Sequence, residues 1–471
     1  MIGAMLGGCV QYHRRELHPR ATLRQFSRRR LDNPPMVAFV KRYARRVPPG
    51  FPQKWNLSGL TLAAWRWSPT LAELRARLAE QKGAVTQAGL LPNPRVQLTP
   101  RYAAKVLGNP WTLGISFDIP IETAGKIQDR VRRAQAILAA RGWDILQAAW
   151  RIRMSLRRAL IVWNYANRVR RTKYLREQVE KDISQIVFSR FRAGATARTE
   201  LLFVRLAYQR AVITAAQAAS QSAIAEAKLA GVINVPTAAL RQVQLDAGRV
   251  GFLPKPSQLR FSADIRLAMA NRLDVYALLC RYDAAEQNLK YQIALQYPNI
   301  HLGPGYQFNR GTDRYTFGIG FALPIFDQNQ GNIATAIARR QLVADQLNAL
   351  ESRVITQLHI DKYTYIEKYH RWQLWKALGR RQASVDALTA RQLKEGLVSR
   401  LALLDARLIR LTDALYAYSA RSQAELALTN IENDLQIPLT ADRYLLVHGA
   451  RESRAEKKRK LPKSNRVAKH E

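Results

Sequence analysis

Two stretches of the chain alternate apolar and polar residues with a period of two, and they are copies of one another. In 94–121 (PRVQLTPRYAAKVLGNPWTLGISFDIPI), Val96, Leu98, Pro100 and Tyr102 alternate with Arg95, Gln97, Thr99 and Arg101. After a loop with Gly108, Asn109 and Pro110, Trp111, Leu113, Ile115, Phe117 and Ile119 alternate with Thr112, Gly114, Ser116 and Asp118. In 298–325 (PNIHLGPGYQFNRGTDRYTFGIGFALPI), Ile300, Leu302, Pro304, Tyr306 and Phe308 precede Tyr315, Phe317, Ile319, Phe321 and Leu323 in the same way. A shift of 204 positions superimposes the copies without a gap, with ten identities from Pro94/Pro298 to Ile121/Ile325. A period of two predicts strands with one residue class on each face. Each copy is therefore expected to be a β-hairpin whose strands, about nine residues long, match a tilted strand crossing a bilayer. The non-apolar face is partly small (Gly114, Ser116, Gly303, Gly305, Gly318, Gly320), which suits a polar lumen better than a packed core. A soluble hairpin with one buried face would alternate too, so the hairpins alone do not decide.

The pattern between the hairpins decides it. No proline occurs between Pro120 and Pro236 or between Pro324 and Pro438, and proline is what breaks helix interiors. The first gap carries Ile127, Val131, Ala134, Leu138, Ile145, Ala149, Ile152, Leu156, Ala159, Trp163 and Ala166 at steps of three, four and seven, a heptad seam. A helix over 127–191 would be roughly 100 Å long. Gly194 and Gly396 lie 202 apart, close to the hairpin offset, and each can take the left-handed conformation that ends a helix. Thr196 or Thr199, and Ser399, are the expected N-caps of the returning helices. The chain thus reads as one unit repeated twice: hairpin, long helix, glycine turn, helix. Shorter helical patterns at 60–88 and 263–296 lead into the hairpins.

The expected organisation is a lipobox-like N-terminus and an extended proline-bearing segment (1–56), a first repeat (57–232), a connector (233–262), a second repeat (263–437) and a basic C-terminal tail (438–471). Cys280 falls within the second of the shorter helices and is expected to be a buried, inert thiol.

Composition narrows the classes. Hydrophobic residues make up 47% of 471 residues, which argues against general disorder. No run approaches 18 consecutive apolar residues, so a membrane crossing must be a closed barrel. None of the seven histidines forms an H-E-x-x-H or a Cys/His cluster, and no nucleophile elbow, phosphate loop or dinucleotide fingerprint stands at a strand-to-helix turn. No catalytic role, cofactor or metal site is expected. With 75 Lys+Arg against 35 Asp+Glu, the formal net charge is +40. That charge and the run Lys457–Lys460 raise a different class, a basic coiled-coil protein that binds nucleic acid. The spread of basic residues along the helices and the two alternating hairpins speak against it.

AGLLPNPRVQL, YPNIHLGPGY, LPIFDQNQGNIATAIARR (323–340), NRLDVYALL (271–279) and the two glycine turns together resemble the TolC-like outer-membrane efflux protein family. The chain is most similar to its lipoprotein members serving resistance–nodulation–division pumps for heavy metals or drugs. Leu6-Gly7-Gly8-Cys9 resembles a lipobox, which implies acylation of Cys9. The resemblance implies a mostly α protein with a transmembrane barrel part, a homotrimer in which each chain gives four strands to one 12-stranded barrel, and a helical tunnel through the periplasm. Barrel closure asks for the same, because four strands enclose no useful interior and open edges in lipid are forbidden. The implied function is the exit duct of a tripartite pump. Its partners would be outer-membrane lipid, a periplasmic adaptor and an inner-membrane pump, and its cargo metal ions or small toxic compounds. A secretion or drug-efflux outlet of the same fold is the alternative.

Under this reading Arg192, Gly194, Glu395 and Gly396 form the periplasmic tip that meets the adaptor, being farthest from the hairpins. Glu200 and Asp405 match acidic gate positions of the family; Ala402 departs from that pattern. Arg95, Arg101 and His301 line the pore. The basic excess leads us to expect an open pore that favours anions.

Overall fold

The computed structural model describes residues 11–44, 50–105, 108–246, 252–259 and 269–439. Ten helices and seven strands stand out among them. The N-terminal segment forms α1 (Pro19–Ser27) and α2 (Pro34–Tyr43). It was expected to be extended, but each of these helices begins at a proline, where the missing N–H has no intrahelical partner to lose. Strand β1 (Lys54–Trp55) follows, then α3 (Leu57–Trp67) and α4 (Pro69–Ala88). The single helix expected over 60–88 is thus two. Ser68 leaves the helical region and caps α4 by accepting the Leu71 N–H at 3.2 Å, with Pro69 at its first position.

The first hairpin consists of β2 (Arg95–Leu98), β3 (Arg101–Tyr102) and β4 (Trp111–Ile121). Next come α5 (Lys126–Arg192), α6 (Arg198–Ile233), α7 (Thr237–Arg241) and β5 (Gln244–Leu245), which pairs in parallel with β1. Helix α8 (Leu273–Ala294) leads to β6 (Ile300–Asn309) and β7 (Thr312–Phe321), and α9 (Gln330–Lys394) and α10 (Arg400–Leu435) complete the chain. Cys280 on α8 is half-buried rather than buried. Cys9 and nearly all of the basic tail lie outside the described residues.

Helices α5 and α9 have 67 and 65 residues, so each is about 100 Å long. Helices α4, α6, α8 and α10 pack along α5, and α8 and α10 also pack along α9. The main core lies partway along α5. There Leu156, Leu160 and Ile161 of α5 meet Leu229 and Ile233 of α6, Leu60 of α3, and Leu31, Met36 and Val40 from the N-terminal segment. A second core joins Val354, Leu358 and Tyr365 of α9 to Leu428, Ile431 and Leu435 of α10. The two repeats are tied by a buried ion pair: Arg157 Nη1 lies 2.5 Å from Glu432 Oε2, and Arg157 Nε donates to Thr429 Oγ1 at 3.0 Å. At the foot of the hairpins, Lys126 Nζ donates to the Tyr297 carbonyl at 2.6 Å and to Asn299 Oδ1 at 2.5 Å, fixing the start of α5 against the entry to β6.

Candidate functional site: a barrel face and a helical tip

The two hairpins join into one antiparallel sheet in the order β2/β3–β4–β6–β7. The copies share a register: Val96 faces Phe117 in the first, and Ile300 faces Phe321 in the second. The second turn is the two-residue Arg310-Gly311, with φ of 51° and 96°. Two positive φ angles give the primed turn whose twist matches the flanking strands. The β4–β6 ladder lapses between Ser116↔Gly305 and Ile119↔Leu302, where Pro304 has no N–H to donate.

This register puts every large apolar side chain on one face. Leu98 faces Ile115, Ile115 faces Tyr306, and Tyr306 faces Tyr315; Ile119 faces Leu302, which faces Ile319. The band is bare in the single chain, with Tyr315 82%, Phe317 67% and Ile319 65% exposed. Tyr102, Trp111, Tyr306 and Tyr315 cluster toward the loop end of the sheet, with ring centroids 5.1 Å apart in the first pair and 5.4 Å in the second. Such an aromatic cluster beside an apolar band is the pattern of a strand set crossing from hydrocarbon to headgroup. Strands of 10 and 11 residues have the needed length. The outer strands, β2/β3 and β7, each have one unpaired edge, which lipid does not tolerate.

The opposite face is polar and small. Arg95 faces Asp118, Gln97 faces Ser116, Arg101 faces Thr112, Gly303 faces Gly318, and Gln307 faces Arg314. His301 lies on this face, with Nδ1 2.7 Å from Asp118 Oδ1 across the β4–β6 seam. Arg95, Arg101 and His301 therefore share one face of one sheet. Arg314 joins them, a residue the sequence reading did not single out.

At the other end, both long helices stop at glycine. Gly194 and Gly396 have φ of 70° and 75°. Ala195 N–H donates to the Arg190 carbonyl at 2.9 Å, and Leu397 N–H to the Gln392 carbonyl at 2.9 Å. These six-to-one bonds are Schellman motifs. Ser399 caps α10 as expected, accepting from the Ala402 N–H at 3.2 Å. Helix α6 departs from expectation: its N-cap is Ala197, and the Thr196 hydroxyl instead donates to Glu200 Oε2 at 2.5 Å. The two turns lie together, since Leu404 of α10 packs with Ile183 and Val187 of α5 and Leu201 of α6. Arg192, Glu395 and both glycines are exposed.

Glu200 and Asp405 are not equivalent. Glu200 sits in the first turn of α6, whereas α10 has no acidic residue in its first turn. Asp405 lies further along, beside a residue the sequence did not signal: Glu180 of α5, buried, with Arg176 Nε 3.7 Å away. Burial pushes the Glu180 carboxyl up; Arg176 opposes this, and the nearby Asp405 charge adds to it. The motif-free spacing of Glu180 from Asp405 gives no sequence signal for this pair.

Among the described residues no group of three or more His, Cys, Asp or Glu is placed to hold a metal, and no helix is long and apolar enough to cross a membrane. A sheet with one bare apolar face, one polar face and two open edges, standing on helices of about 100 Å, has the architecture expected of one part of a closed membrane barrel carried on a helical stem.

The comparisons agree. The family model of the outer membrane efflux proteins matches residues 63–235. Among solved structures, the chain is similar to the outer membrane protein VceC of Vibrio cholerae, at 19% identity and a TM-score of 0.63, over 80% of this chain and 95% of that one. It is similar to the CmeC outer membrane channel of Campylobacter jejuni at 14% identity and a TM-score of 0.65, over 85% and 89%. To the MtrE outer membrane channel of Neisseria gonorrhoeae in its open state, the values are 17% and 0.62, over 80% and 88%. No curated protein sequence matches the chain. The chain therefore has the fold of the TolC-like outer-membrane channels, and the efflux-protein family model matches 63–235 of it. The basic coiled-coil nucleic-acid binder gives no account of the sheet.

Proposed function

We propose that this chain is the exit duct of a tripartite efflux pump. Three copies close a 12-stranded barrel in the outer membrane, each supplying the four-stranded sheet, and their helices form the tunnel below. Its partners are a periplasmic adaptor, which docks at the tip formed by Arg192, Gly194, Glu395 and Gly396, and an inner-membrane pump. Glu200 and Asp405 belong to the tip closure, with Glu180 behind Asp405. Arg95, Arg101 and His301 line the pore, and acylation of Cys9 anchors the chain to the membrane. The chain divides into five parts, 1–56, 57–232, 233–262, 263–437 and 438–471. The cargo is small toxic compounds or metal ions taken from the pump to the exterior.

The observation that carries this reading is the pair of open edges on a sheet with a bare apolar band. One chain cannot satisfy those edges in lipid, and the function follows from what closes them. The test is a strain lacking the gene, challenged with a panel of metal salts, dyes and detergents. Increased sensitivity restored by the intact gene is expected. Unchanged sensitivity across the panel, with the protein expressed in the parent, counts against efflux.

A further inference from the structure

We propose that the duct selects by charge and that its cargo is anionic: small organic compounds bearing carboxylate, sulfonate or phosphate groups. This rests on the exit-duct reading and adds the substrate class. The lumenal face of the sheet carries Arg95, Arg101 and Arg314 against one acid, Asp118. The other acid of the strands, Asp313, faces Phe308 on the apolar side, and its Oδ1 accepts from the Tyr306 hydroxyl at 2.6 Å. Asp118 is engaged by His301, while Arg95, Arg101 and Arg314 make no ion pair among the described residues.

The arginines are also placed to act together. Arg101 and Arg314 lie near the loop end, on the two outer strands that neighbouring copies bring side by side when the barrel closes. Lys105 and Arg310 stand in the adjoining loops. Three copies therefore set a positive collar at the outer mouth. Strands are about 4.8 Å apart, so neighbouring collar charges lie near or within the roughly 10 Å screening length at 0.1 M salt. Their fields add.

The opposite end is basic as well. Residues 190–200 and 391–400 hold Arg190, Arg192, Arg198, Arg391, Lys394 and Arg400 against Glu200 and Glu395. The tail does not account for the excess, because 440–471 carries only ten of the 75 Lys+Arg. The acids Glu200 and Asp405 temper the tip end, so the outer collar is the stronger charge, and a narrow mouth with an excess of one sign focuses its field and enriches the opposite ion. Arginine forks also suit carboxylate and phosphate oxygens in passing contact. A free divalent cation would meet repulsion at the outer mouth.

The experiment uses purified full-length protein in planar bilayers under a potassium chloride gradient. A reversal potential corresponding to a chloride preference of about threefold or more at low salt is expected, shrinking as salt is raised. Arg101→Gln/Arg314→Gln should lose most of that preference, and Arg101→Lys/Arg314→Lys should keep it. In liposomes, carboxyfluorescein should leave faster than a cationic dye of the same size. A potassium preference, or a chloride preference untouched by the glutamine variant, overturns the proposal while leaving the channel reading in place. Absence of any conductance overturns both.

Discussion

Asp434 gives the most quantitative consequence of the helical packing. It lies one residue before the end of α10, 8% exposed, beside the equally buried Asp361 of α9 and against the core formed by Leu358, Tyr365 and Ile431. The neighbouring cation, Arg272, spends its guanidinium on Asp274 at 2.9 and 2.6 Å and on the backbone carbonyl of Asp434 at 2.7 Å. Burial first, then the hydrogen bond and charge of Asp361, push the Asp434 carboxyl up from 3.8 to about 7. The folded protein thus holds a proton that the unfolded chain releases near pH 4. Its stabilising contribution is complete below about pH 4 and is lost as pH rises to about 7, the slope being negative because the native state binds more protons. At 1.36 kcal/mol per unit, the ceiling is about 4 kcal/mol. Sharing of the proton with Asp361 brings a realistic figure nearer to half of that. Asp434→Asn keeps the shape and cannot ionise. Thermal melting of the detergent-extracted protein, followed by far-UV circular dichroism from pH 5 to 8.5, should show the variant and the parent converging at the acid end. At the alkaline end the variant should melt several degrees higher. A gap that is constant with pH, or one that widens toward acid, refutes the buried-proton reasoning.

Other consequences are as direct. Valine at Gly194 or Gly396 forces a β-branched residue to positive φ, at about 1–3 kcal/mol; export and adaptor crosslinking should fall while trimers persist, and unchanged export in both variants removes the docking assignment. Phe317→Arg, in the middle of the apolar face of β7, should cost about 2–4 kcal/mol and empty the outer-membrane fraction, whereas Thr316→Arg on the lumenal face should be recovered there at near-normal levels. Glu432→Ala strands the buried Arg157 and should destabilise by about 3–5 kcal/mol, yet Arg157→Met/Glu432→Leu should melt close to the parent; equal losses in both would mean that packing volume, not charge, is what matters. Asp405→Ala should raise the resting conductance, and a variant with the parent's closed-state conductance and export takes Asp405 out of the gate.

The sequence made the repeat and the two faces of its strands legible, because a period of two assigns alternate residues to opposite faces; the register of Val96 with Phe117 and Ile300 with Phe321 was not legible, since a slip of two residues keeps the same faces. The long helices were legible from the absence of proline, and their ends from two glycines. The N-terminal helices were hidden because a proline reads alike as the first residue of a helix and as a marker of extended chain; only burial of Met36 and Val40 against α3 and α5 separates the two. The buried pairs were invisible for another reason. Arg157 and Glu432 are 275 residues apart on heptads that look alike, and nothing local says which seam faces which. Glu180 beside Asp405 is the same case, so Glu200 and Asp405 were named without the buried carboxyl next to the second.

The central claim is that one chain is a third of a barrel. Light scattering of the protein extracted by detergent from the outer-membrane fraction measures this most directly. The account predicts a protein mass of three chains. A monomer in mild detergent, or recovery of the protein from the soluble fraction without detergent, would contradict it.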